Sequence, residues 1–88
     1  MEEFQKQLED LEEQLQYCEK LVASETRLDV AVLILEELQS KIQKIKESSG
    51  AVDERLTALA DRVKLLYHRA KALLSLQEGR NAYRQFED

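Results

Sequence analysis

Phe4, Leu8, Leu11, Leu15, Cys18 and Val22 recur at intervals of 4-3-4-3-4. That is the spacing of an a/d seam. At about 100° per residue the six side chains fall within an arc of about 80° on one helix. A second apolar set follows within residues 28–47: Leu28, Ala31, Val32, Ile34, Leu35, Leu38, Ile42 and Ile45. On a helix these form a stripe about 160° wide, interrupted only by Gln39. The run Val30 to Leu35 resembles a buried strand when taken alone. No period-two alternation continues beyond it, so a helix of about 20 residues is the better reading. Placed on one unbroken helix, the two stripes would point about 160° apart and could share no core. The chain therefore has to turn between them. Thr26-Arg27-Leu28-Asp29 reads as a variant capping box, and Ser24 and Asp29 are further N-cap candidates.

A second break lies at Glu47-Ser48-Ser49-Gly50. Glycine readily takes the left-handed conformation that ends a helix, and Ser49 can cap the next one. The third helix is expected over about residues 51–78. Its stripe is Val52, Leu56, Leu59, Val63, Leu66, Tyr67, Ala70, Leu73 and Leu74. Gly79 either ends it or is a weak point within a longer helix, so residues 79–88 are a tail or an extension. The chain has no proline and two glycines, and it is rich in good helix formers. The expected fold is all-α, an up-down-up three-helix bundle in one domain over residues 1–88. The second helix, with its wide stripe, sits in the middle. The alternative is a hairpin of helices two and three, with residues 4–22 pairing between chains as a coiled coil. The end of the chain, RNAYRQFED, shows no capping, as expected of the N-terminal part of a longer protein.

The net charge of −5 argues against a nucleic-acid binder, which needs a basic face to displace counterions from phosphate. It argues equally against docking on an anionic membrane surface. The longest apolar run, six residues, is far short of the roughly 20 that cross a bilayer. MEEFQKQLED has no basic region followed by an apolar one, so it is not read as a signal peptide. The acids are unevenly placed. Residues 1–22 hold seven acids against two bases, and residues 52–78 hold four against five. Helices one and three would thus lie side by side as acidic next to basic. A single cysteine allows no intrachain disulfide and fits a reducing, cytoplasmic setting.

No catalytic, cofactor-binding or metal-ligating constellation can be assembled. A general base needs partners within hydrogen-bond reach, and a metal needs converging ligands. His68, the sole histidine, projects away from the third helix's stripe, near Asp61 and Lys64. Cys18 occupies a seam position and reads as a small core hydrophobe. The neighbours in Glu12-Glu13 and Glu36-Glu37 diverge by about 100° on a helix. No cofactor is expected, and the chain is not expected to be an enzyme.

Some apolar residues lie outside these stripes. Ala58, Leu65, Ala72 and Leu76 form a second line on the third helix, the first three at heptad spacing. Tyr83 and Phe86 continue it if the helix passes Gly79. Val30 and Leu33 are the corresponding outliers on the second helix. A line of this kind can receive a partner helix. The expected function is a helical subunit or adaptor domain of an intracellular complex, binding a helical protein partner through Val30, Leu33, Ala58, Leu65, Ala72, Leu76, Tyr83 and Phe86. The alternative is a small helical chaperone or regulator that shields an apolar helix of a client. Self-association through residues 4–22 is the homo-oligomeric variant.

Overall fold

Three α-helices follow one another: α1 Glu2–Ser24, α2 Leu28–Ser49 and α3 Glu54–Glu87. The computed structural model describes the backbone of residues 2–49 and 53–87 and the side chains of 3–48 and 53–80. All three helix pairs touch, α2 with α3 most extensively and α1 with α3 least. This is the up-down-up three-helix bundle, with α2 central as its wide stripe requires.

The core takes one stripe from each helix. Leu8, Leu11, Leu15, Cys18 and Val22 come from α1. Leu28, Ala31, Val32, Leu35, Leu38 and Ile42 come from α2, and Leu56, Leu59, Val63 and Ala70 from α3. Ile34 and Ile45 edge the α2 stripe, half-buried against this cluster. The seam of residues 4–22 is thus consumed within the chain and is not left to pair with another. Each buried leucine removes enough apolar surface to stabilise the fold by about 1.5–3 kcal/mol before entropy is counted. Among the described residues no polar or charged side chain is buried, and no aromatic ring is fully buried.

The α1–α2 corner falls where the phase argument puts it, but it is built differently from the capping expected there. The Thr26 N–H donates to Leu21 O and the Glu25 N–H to Val22 O, both at 3.1 Å. These two bonds make a Schellman motif with Glu25 at the C′ position. Glu25 has φ 53° and Arg27 φ 49°, so two side-chain-bearing residues in three are left-handed. Arg27 holds the N-cap position of α2, its carbonyl accepting from the Ala31 N–H at 3.0 Å. The Ser24 hydroxyl turns back to Lys20 O at 2.9 Å and meets Thr26 Oγ1 at 2.7 Å. Neither residue caps α2, and Asp29 lies inside the first turn.

α3 starts later than expected. Asp53, not Ser49, caps it: its Oδ1 accepts the Arg55 N–H at 2.8 Å. Ser49 is the last residue of α2, and Gly50, Ala51 and Val52 lie outside the described residues. α3 also runs further, through Gly79 to Glu87. A glycine costs only about 1 kcal/mol in a helix interior, and no proline follows to stop it. Its 34 residues span about 51 Å and set the 59 Å length of a molecule only 19 Å by 15 Å across. Gln77 Nε2 donates to Glu25 O at 3.1 Å, which puts Gln77 level with the α1–α2 corner. The ten residues after it carry α3 about 15 Å past that corner.

Candidate interaction surface

α3 carries a second stripe beside its core stripe. Arg55, Ala58, Arg62, Leu65, Arg69, Ala72 and Leu76 are spaced 3-4-3-4-3-4. Their line faces the groove between α3 and α1. Arg55, Ala58 and Arg62 line its lower part together with Gln5, Glu9 and Glu12. Leu65 and Arg69 line its upper part together with Leu15 and Glu19. Leu65 is 72% exposed and Leu76 56%, and Ala58 and Ala72 are also exposed. Tyr83 and Phe86 follow on the same helix, but their side chains lie outside the described residues.

The other two outliers do not join this line. Leu33, 63% exposed, lies about 160° round α2 from the fully buried Leu35 and so points away from the bundle axis. Val30, half-buried, sits on the α1 flank of the same helix. The α1–α3 groove is on the face opposite α2. Of the eight residues read together from the sequence, the six whose side chains are described therefore do not share one face: Ala58, Leu65, Ala72 and Leu76 lie on the α1–α3 side, and Val30 and Leu33 do not. Tyr17, 47% exposed on α1, is an exposed ring that the stripe count did not single out.

Charge along the groove is organised by register. Arg62 Nη1 reaches both carboxylate oxygens of Glu12 at 2.9 Å, and its Nη2 reaches Glu19 Oε1 at 2.8 Å. The bond to Glu12, supported by Glu19, holds the guanidinium charged, above its ordinary range. Arg55 Nη1 donates to Gln5 Oε1 at 3.1 Å, and the guanidinium lies 5.8 Å from the centre of the Phe4 ring. Arg55 also pairs with Asp53 at 3.3 Å. The exposed Arg62 pairs, which cross from α3 to α1, are worth about 0.2–1 kcal/mol each, so they set register more than stability. Among the described residues neither Arg69 nor Arg80 makes an ion pair, and both are exposed. The α1 acids and the α3 bases were legible as a charge imbalance. The heptad spacing of Arg55, Arg62 and Arg69 is the signal that would have placed them in one groove.

Cys18 is buried, its thiol directed at Ala31 O at 4.0 Å. Burial, reinforced by the charge of Glu19, raises its pKa from 9.0 to about 11. A thiol so held is a poor nucleophile. His68 is exposed on the α2–α3 side, its ring 5.8 Å from that of Tyr67. Among the described residues no three His, Cys, Asp or Glu side chains are placed to hold a metal ion, and no helix is long and apolar enough to cross a membrane.

No family model matches the chain, and neither a curated protein nor a solved structure is found to be similar to it.

Proposed function

We propose that the chain is a non-enzymatic helical interaction module, a subunit or adaptor domain of an intracellular complex, that receives a partner helix on its α1–α3 face. The observation that carries this reading is the exposed apolar line of α3. Leu65 and Leu76 present most of their side chains to solvent at 72% and 56% exposure, in register with Ala58 and Ala72. The α3 core stripe is satisfied separately, so this line does nothing for the chain's own core. Alanines between leucines let a second helix approach closely, and heptad spacing matches the way helices interlock. A photo-crosslinking residue placed at Leu65 or Leu76 should capture one defined protein in cells, and one at Lys64 should not. The captured protein should bind the Leu65→Glu, Leu76→Glu chain at least about tenfold more weakly. Equal capture from all three positions, or unchanged affinity, would refute the assignment.

A further inference from the structure

We propose that the chain self-associates head to tail, the outer face of α1 on one copy seating its Tyr17 in the α2–α3 groove of the next. That groove lies across the bundle from α1. Ile42, Ala60 and half-buried Tyr67 give it an apolar floor, and Lys46, Lys64 and His68 rim it. Among the described residues Lys64 and His68 make no ion pair. The acids on the same flank of α2 are engaged by neutral groups: Glu36 accepts from the Tyr67 hydroxyl and Glu47 from the Gln43 amide. The rim is therefore cationic on a chain whose net charge is −5. Tyr17 belongs to the opposite side. It is 47% exposed and lies about 160° round α1 from the buried Leu15. Glu13 and Asp10, one and two turns before it, are exposed as well.

Register fits the two surfaces together. α1 and α3 run parallel, and three bonds between them, Arg55 to Gln5, Arg62 to Glu12 and Gln77 to Glu25, join residues 50, 50 and 52 apart. The further bond of Arg62, to Glu19, spans 43. Each α1 residue is thus level with the α3 residue about 50 places on. A copy displaced sideways by the 15–19 Å width of the molecule, without rotation, brings Tyr17 level with Tyr67 and His68. Glu13 comes level with Lys64, and Asp10 with Ala60 and Lys46. Asp10 lines the α1–α2 side of its own bundle, which after the displacement is the side of Lys46. Lys20 comes level with both Glu36 and Lys71 and decides nothing. An amphipathic ring on an apolar floor, flanked by unlike charges, gives both burial and orientation. The two surfaces differ and lie on opposite sides, so the contact repeats from copy to copy and does not close as a dimer. It uses none of the α1–α3 face, where Leu65 and Leu76 stay open to a partner helix, and it does not depend on that reading.

Sedimentation equilibrium of the full chain, from about 10 μM to about 1 mM as suits a small contact, should show a mass that climbs past the dimer. Tyr17→Ala with Glu13→Gln spoils the α1 surface, and Lys64→Glu with His68→Glu spoils the groove. Each pair should weaken association about tenfold or more. All four side chains are exposed, so the circular dichroism melt should be unchanged. Mixed, the two variants should associate one to one and stop there, because the mixture holds one intact surface of each kind. A chain monomeric throughout, a mass that levels at the dimer, either variant associating as the native chain does, or a mixture no heavier than its parts overturns the proposal. Loss of self-association in Leu65→Glu with Leu76→Glu also overturns it, because the self-contact then lies on the α1–α3 face. If that variant self-associates normally and binds the captured protein as before, the partner reading falls and this one stands. A photo-crosslinking residue at Lys64 should give an adduct of two copies, distinct in mass from the partner adducts at Leu65 and Leu76.

Discussion

Glu25 ends α1 with φ 53°, a conformation that an L side chain adopts at a cost of roughly 1–2 kcal/mol. The Glu25→Gly substitution removes that cost. Against it stands the larger backbone freedom of glycine in the unfolded chain, about 0.5–1 kcal/mol. The glutamate side chain is exposed. The bonds at this position, Glu25 N–H to Val22 O and Gln77 to Glu25 O, use only its backbone. Nothing else is therefore lost, and the net expectation is a gain of about 0.5–1 kcal/mol. For a chain of this size that is a rise in Tm of about 2–8 °C. Far-UV circular dichroism gives the midpoint, and a guanidinium titration should show a higher midpoint with an unchanged slope. Glu25→Ala is the control: it removes the same side chain, keeps the strain, and should lie within about 0.5 kcal/mol of the native protein. A glycine variant no more stable than the alanine one would refute the reasoning, because the strain would then not be there to relieve.

Three further outcomes follow from the packing and the caps. Leu35→Ala, at a fully buried position of the central helix, should cost about 2–5 kcal/mol, a large share of the roughly 4–13 kcal/mol a chain of this length has; Leu33→Ala should cost under about 0.5 in the same denaturant titration. The Cys18 thiol keeps its proton to about pH 11 when folded but loses it near pH 9 when unfolded. Stability should thus fall as pH rises from about 9 and level off near 11, a decline that Cys18→Ala should make shallower in pH-dependent unfolding. Arg55, through its side chain and then its backbone N–H, holds the Asp53 carboxyl below its usual 3.8. That contribution is complete at neutral pH and fades as pH falls through about 4 and below. Asp53→Asn should flatten this acid limb, and Asp53→Ala should lower Tm at pH 7.

The fold was legible because it is written in phase. The stripes of residues 4–22 and 28–47 cannot coexist on one helix, and the structure breaks the chain between Ser24 and Leu28. The corner's construction was not legible. Ser24, Thr26 and Asp29 all have good capping side chains, yet the turn is closed by backbone bonds through a left-handed glutamate, which propensity disfavours. The extension past Gly79 was ambiguous, because one glycine penalises a helix without stopping it. Of the surface, the apolar line on α3 could be read from spacing alone. That Leu33 and Val30 belong to a different face could not, because projection on one helix does not say where its neighbours stand.

The aliphatic core has an optical consequence. The chain has no tryptophan, and among the described tyrosines Tyr17 is exposed and Tyr67 half-buried. Loss of the core therefore changes the absorbance of these two rings near 280 nm, and the fluorescence excited there, very little, and their fluorescence would understate cooperative unfolding. Of the two described rings Tyr67 is the informative one: its hydroxyl donates to Glu36 Oε1 at 3.0 Å across the α2–α3 groove. Its ultraviolet band reports whether those two helices are docked and leaves the α1–α3 face unobserved. A tryptophan introduced at Ala72 would give that face a signal of its own.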